Sequence, residues 1–137
     1  MGDRASPDPD CIRVLSAPRD GRAFLMFTYR ATVTSVYDAD TITVDVDLGF
    51  RAWLRGVKIR LYGIDAPEMR GSERAEGIKS RDWLREQILG REIVMRTYHD
   101  KTGKYGRWLA SLYRAESDET SINQELVTLG LARPAFY

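Results

Sequence analysis

The sequence predicts a β-barrel with helices, an α+β fold in which five short strands and two helices form one domain. The chain has 137 residues, about the length of a single domain. Five segments are rich in β-branched and aromatic residues or alternate between apolar and polar positions, which is typical of strands. Two other segments have a helical period and end at glycine.

The strand-rich half follows a charged amino terminus. Residues 1–22 are rich in Pro, Asp and Arg, which predicts a flexible arm before a folded domain over residues 23–137. The segments "FLMFTYRATVTSVY" (24–37) and "TITVDVDL" (41–48) predict two strands that "DAD" joins as a hairpin. The segment "GVKIRLYGI" (56–64) predicts a third strand, reached through a looser connection. Three successive antiparallel strands make a meander.

The period then changes in "GSERAEGIKSRDWLREQILG" (71–90). One helical stripe holds Gly77, Ser80, Leu84 and Ile88, and Gly90 is a natural stop. The segments "REIVMRTYH" (91–99) and "RWLASLYR" (107–114) predict the last two strands.

A second helix is expected over residues 122–129, where a capping box of Ser121 and Gln124 opens the helix and Gly130 ends it. Its inward positions are Ile122, Leu126 and Leu129. Five strands with a helix between the third and the fourth is the order of an OB-fold barrel, whose curved face and loops often receive nucleic acid.

The composition excludes several classes of protein. The chain has 21 basic and 20 acidic residues, so it is no general polycation and any anion site must be local. A single cysteine excludes an internal disulfide, and a single histidine leaves too few soft ligands for zinc, so a bound metal would have oxygen ligands. No secretory signal or membrane span is present, so we expect a cytoplasmic monomer, with a mobile element as an alternative source.

Three carboxylates are expected at one rim of the barrel. Asp38 and Asp40 share one face of "YDADT", and Asp65 follows the neighbouring third strand. Hard oxygen ligands in this number suit Ca²⁺. The alternative for "DAD" is an ordinary turn, because Asp is a common turn residue.

Arginines and a further carboxylate surround these positions. The guanidinium groups of Arg60 and Arg107 match two phosphate oxygens, and Glu68 could act as a general base on water. The loop "DKTGKYGRW" presents Lys104 and Tyr105 in a form suited to a second phosphate. The alternatives are a plain hairpin turn for the loop and surface ion pairs for Arg60 and Glu68.

Together these motifs resemble one family, the staphylococcal nuclease (thermonuclease) domains. The resemblance covers about residues 31–136. It is carried in order by "DADT", "RLYGIDAPE", "KYGRWLA" and "INQELVTLGLA". One departure is Ala39, which stands where the family has glycine and should be tolerated only if its backbone is not left-handed.

The resemblance implies a Ca²⁺-dependent nuclease that cleaves phosphodiester bonds of DNA or RNA. It implies that Asp40, Asp65 and the backbone carbonyl of Ala66 bind calcium. Arg60 and Arg107 would clamp the phosphate and Glu68 would be the general base. The substrate-binding residues implied are Lys104 and Tyr105 at a terminal phosphate and Phe136 stacked on a base.

Two other functions stay open. A nucleic-acid or protein-binding module on the same fold needs no turnover, because intact motifs do not guarantee catalysis. A small barrel that binds single strands by stacking alone needs neither turnover nor metal. Cleavage of a labelled strand with and without Ca²⁺ distinguishes all three.

Overall fold

The structure is a computed structural model, and it describes residues 26–98 and 108–135. The predicted arm, residues 1–22, lies outside this range. Four of the predicted site residues also lie outside it: Lys104, Tyr105, Arg107 and Phe136.

Nine regular elements follow one another in the described part of the chain. They are β1 (Met26–Asp38), β2 (Thr41–Asp47), β3 (Trp53–Leu61), β4 (Ile64–Asp65), α1 (Arg74–Ile88), β5 (Glu92–Tyr98), β6 (Trp108–Tyr113), α2 (Ile122–Thr128) and β7 (Arg133–Pro134). A single 3₁₀ turn, Gly71–Glu73, leads into α1.

Five of the strands close into a barrel, which confirms the predicted fold. The order around the barrel is β1-β2-β3-β6-β5, and β5 pairs with β1 to complete it. The pairs are antiparallel except β3 with β6, which is parallel. The predicted meander of the first three strands is therefore correct. The pairing of the two short strands β4 and β7 was not predicted.

The third strand starts earlier than predicted. It begins at Trp53 rather than at Gly56, because Trp53 and Leu54 continue the pairing with the end of β2. Gly56 lies inside the strand with a φ of 68°, and the register shifts between Val44 and Val46 on the facing strand. This is the geometry of a β-bulge, which a glycine in the left-handed region allows.

The first helix buries the predicted stripe against the barrel. Its buried residues are Gly77, Ser80, Leu84 and Ile88, and the helix packs on β1. Ala39, at the β1–β2 turn, is fully buried and does not have a positive φ, so alanine is tolerated there. None of the helices in the described residues is long and apolar enough to cross a membrane.

The second helix departs from the prediction at one position. Ser121 caps it by accepting a hydrogen bond from the amide of Gln124, and Ile122 and Leu126 are buried as expected. The prediction for Leu129 was wrong, since this side chain is 56% exposed. The helix ends at Thr128 and the chain reverses at Gly130, so Leu129 leaves the inward stripe and Asn123 is buried instead.

Candidate active site

The exit of β3 turns back on itself and brings two charged residues together. The strand ends at Leu61, and Gly63 has a φ of 78° in the turn that follows. Asp65 thereby returns toward Arg60, with 3.6 Å between Arg60 Nη2 and Asp65 Oδ1. Arg60 Nη2 also donates to the carbonyl of Ile64 at 3.4 Å. Strict strand alternation would have put the two side chains on opposite faces, so the turn at Gly63 decides this contact.

The β1–β2 turn supplies the second carboxylate. Thr41 pairs with Arg60 across β2 and β3, which places the neighbouring Asp40 beside the guanidinium. Arg60 Nη1 lies 2.9 Å from Asp40 Oδ2, and the same oxygen accepts a hydrogen bond from the amide of Ala66 at 3.0 Å. Thr41 Oγ1 donates to Asp40 Oδ1 at 3.2 Å. Asp40 is buried, and it joins two turns that are distant in sequence.

Asp38 and Asp40 form a coupled pair of carboxyl groups. The pKa of Asp38 is raised to about 7, most strongly by burial and also by its hydrogen bond with Asp40 and by the charge of Asp40. Burial alone would raise the pKa of Asp40 as well. Hydrogen bonds from Asp38 and the Ala66 amide, together with the charge of Arg60, outweigh burial and lower it. Asp40 is therefore the carboxylate that stays ionised, while Asp38 holds a proton in acid.

Glu68 stands at the end of the turn that begins with Asp65. Ala66 is buried, Pro67 is half-buried and Glu68 is exposed. The predicted catalytic and metal-binding residues that the structure describes, which are Arg60, Asp65, Ala66, Glu68 and Asp40, thus lie in or beside two adjacent turns. The segment with Lys104, Tyr105 and Arg107 lies outside the described residues. The first described residue after it, Trp108, pairs with Ile59 next to Arg60.

Two residues near the site were not predicted. Arg133 lies 3.5 Å from the second oxygen of Asp65, through the pairing of β4 with β7. Buried Asn123 donates to the carbonyls of Tyr62 and Ala110 and accepts from the amide of Leu112, so it fixes the exit of β3 against β6. Arg133 carried no local signal. For Asn123 the available signal was its position beside the apolar face of α2, where a polar residue is unusual.

The oxygen donors near Arg60 are of the chemical kind that a divalent cation binds. In the described residues no three His, Cys, Asp or Glu side chains form a metal-binding group, so the expected convergence of Asp38, Asp40 and Asp65 is not found; instead Arg60 contacts both Asp40 and Asp65. The position between these two carboxylates therefore already holds a positive charge. Carboxylate and carbonyl oxygens are the ligands that Ca²⁺ prefers, and it accepts water for the remainder of its shell.

A family model, described as "Staphylococcal nuclease homologue", matches residues 58–137, which is more than half of the chain. The chain belongs to the family of staphylococcal nuclease homologues. A comparison with curated proteins found no match. The matched range contains Arg60, Asp65, Ala66 and Glu68, whereas Asp40 precedes it. Membership of this family indicates a domain of nuclease type or one that binds nucleic acid.

Proposed function

We propose that this staphylococcal nuclease homologue is a Ca²⁺-dependent nuclease that hydrolyses phosphodiester bonds of DNA or RNA. The observation that supports the proposal is the convergence of Arg60 with Asp40 and Asp65, at 2.9 and 3.6 Å, from two separate turns. A lone arginine or a lone Asp-rich turn has common structural explanations. Two carboxylates and a guanidinium at one rim are groups that can bind a divalent cation and a phosphate.

The proposed metal ligands are Asp40, Asp65 and the carbonyl of Ala66. When bound, Ca²⁺ would supply positive charge that orients a water molecule and a phosphate oxygen at this rim. The hydrogen bond from the Ala66 amide to Asp40 keeps the two turns in contact, which supports the proposal that donors from both turns act at one site.

In the proposed mechanism Glu68 accepts a proton from water, and the water oxygen then forms a bond to phosphorus. The bond from phosphorus to the leaving ester oxygen breaks, and that oxygen is protonated on release. Arg60 stabilises the charge that builds on the phosphoryl oxygens, since its planar fork matches two of them. Arg107, Lys104, Tyr105 and Phe136 take the roles that the family resemblance implies for them.

A second candidate function is binding of nucleic acid without cleavage. The observation that favours it is the engagement of Arg60 by both carboxylates, because its positive charge is then partly compensated before any phosphate binds. In the proposed nuclease the substrate phosphate would compete with Asp40 and Asp65 for Arg60.

The experiment that tests the proposal is cleavage of end-labelled DNA and RNA strands of one sequence, with added Ca²⁺ or with a chelator. We expect cleavage with Ca²⁺ only, strong loss in Glu68→Gln and normal rates in Glu86→Gln, an exposed glutamate in the second half of α1. Binding without cleavage in both conditions would support the second candidate. Cleavage that persists in the chelator would refute the calcium assignment.

A further inference from the structure

Gly77 lies on the buried stripe of α1 and contacts the backbone of the turn that carries Glu68. A Cβ atom added at Gly77 would lie 2.3 Å from the carbonyl oxygen of Glu68 and 2.9 Å from its carbonyl carbon. It would also lie 3.0 Å from the carbonyl oxygen of Pro67. All three are backbone atoms, so no side chain can rotate away to make room.

The backbone of Gly77 does not itself require glycine. The six described glycines with positive φ are elsewhere, and Gly77 has the conformation of an ordinary helical residue. Glycine also lowers helix stability relative to alanine. Glycine at this position therefore serves to leave space for the neighbouring turn.

The turn is fixed on both sides. The amide of Ala66 donates to Asp40 at one end, and Glu68 packs on Gly77 at the other. Pro67, between them, has a restricted φ, so a displacement of Glu68 is passed along the turn rather than absorbed. The helix α1 is itself held in place by buried Leu84 and Ile88 and by Ser80, whose hydroxyl donates to the carbonyl of Leu131 at 2.7 Å.

We propose that Gly77 is a positioning residue for the active site, a role that rests on the function proposed above. The missing side chain lets the turn lie directly against α1, and this contact sets where Glu68 and the carbonyl of Ala66 stand relative to Asp40. A methyl group at Gly77 moves the turn away from the helix and displaces both groups.

The first test compares Gly77→Ala with Leu84→Ala, which also changes the buried stripe of α1 but places no new atom against the turn. Gly77→Ala should lower kcat about 10²-fold with KM changed by less than about threefold, as expected for a misplaced catalytic group. Leu84→Ala, assayed well below its unfolding midpoint, should keep kcat. Equal losses of kcat in the two variants would overturn the proposal.

The second test is a double-mutant cycle with Glu68→Gln. If Gly77 acts through Glu68, Gly77→Ala should cause little further loss of kcat when Glu68 is already glutamine. Fully additive losses would overturn the proposal.

The third test does not depend on activity. Hydrogen exchange of the Ala66 amide, which is bonded to Asp40, should accelerate in Gly77→Ala at least tenfold beyond what the loss of global stability explains, and in Leu84→Ala by no more than that loss explains. Unchanged exchange at Ala66 in Gly77→Ala would overturn the proposal. If exchange accelerates in Gly77→Ala as expected but the wild type does not cleave nucleic acid, the proposed function is refuted while the contact between Gly77 and the turn stands.

Should Gly77→Ala fail to fold, Gly77→Ala with Pro67→Gly is compared with Pro67→Gly alone. The glycine at residue 67 lets the turn yield to the methyl group. The double variant should fold, with faster exchange at Ala66 than Pro67→Gly. Equal exchange in the two would overturn the proposal.

Discussion

The two ends of the β1–β2–β3 meander differ in chemistry although the same strands form both. At one end Asp38, Asp40 and Arg60 gather with Asp65 around the proposed active site. Toward the other end these strands, together with β5 and β6, line an apolar cavity of about 220 Å³, and no charged side chain lines it among the residues that the structure describes. The cavity lining includes the exposed apolar side chains Phe27, Leu48 and Leu54, and it extends through Ile59 to Trp108, which lie close to Arg60 in the chain and in the sheet.

Burial has different consequences for the side chains at the two ends. At the carboxylate end, a buried charge is costly unless it has a partner. Both carboxylate oxygens of Asp40 accordingly accept a hydrogen bond or form an ion pair. At the apolar end, large side chains are partly exposed and meet no such requirement. We expect substitutions at the carboxylate end to alter chemistry and those at the apolar end to leave it unchanged.

The largest expected effect is on turnover. Glu68→Gln should lower kcat by about 10²–10⁴-fold with little change in substrate affinity, because a general base acts mainly in the transition state. Arg107→Ala should be comparably damaging, since its proposed role is to stabilise the charge that accumulates on the phosphoryl oxygens as water attacks. The matched change at the apolar end, Leu54→Ala, should keep kcat. Steady-state kinetics measures kcat and KM for each variant, and circular dichroism checks that each is folded. Near-normal turnover in both Glu68→Gln and Arg107→Ala would refute the mechanism.

The next effect is on stability, and two Arg–Asp ion pairs of similar length but different burial can be compared. Arg60 and Asp40 lie 2.9 Å apart with side chains 19% and 8% exposed, whereas Arg55 and Asp45, toward the apolar end, lie 3.0 Å apart with Arg55 68% exposed. Arg60→Ala leaves a buried carboxylate without its cation and should lower the free energy of unfolding by about 3 kcal/mol. Arg55→Ala should change it by less than about 1 kcal/mol. Urea unfolding of both variants measures the difference, and equal losses would mean that burial does not distinguish the two ends.

A smaller effect should separate metal binding from chemistry. Asp40→Asn removes one of few carboxylates, so it should raise the Ca²⁺ concentration needed for half-maximal activity by about tenfold or more. Part of the lost activity should return at high Ca²⁺, whereas that of Glu68→Gln should not. Activity is measured against Ca²⁺ concentration for both variants. A loss in Asp40→Asn that Ca²⁺ does not relieve would remove Asp40 from the proposed ligands.

The smallest effect concerns pH. The pKa of Asp38 is raised to about 7 in the folded protein from 3.8, so between these values the folded chain holds a proton that the unfolded chain has lost. The contribution of Asp38 to stability therefore falls as pH rises from about 4 to about 7 and is constant above that range. In a chelator, Asp38→Asn should make the unfolding midpoint less dependent on pH in this window.

Asp45→Asn is the control for that measurement. The pKa of Asp45 is lowered, first by its hydrogen bond from the amide of Gly56, so its contribution changes only below about pH 4. An Asp38→Asn variant with the pH dependence of the wild type would show that Asp38 does not titrate in this range.

The sequence by itself determined the elements whose signals are local. Strand alternation, the stripe that ends at Leu84 and Ile88, and the Ser121 cap depend on neighbours within a few residues, and all three were predicted correctly. The order of these elements then indicated the barrel. The family motifs named the candidate residues, whose roles stay predictions.

Only the tertiary structure decided which of these residues meet. The contact of Arg60 with Asp65 depends on the left-handed turn at Gly63, and that with Asp40 depends on the register of β2 against β3. The pairing of β4 with β7 brings Arg133 to Asp65, and the space at Gly77 admits the Glu68 turn. These features depend on one turn conformation and on contacts between separate elements, so their energies arise from packing and leave no periodic pattern in the sequence.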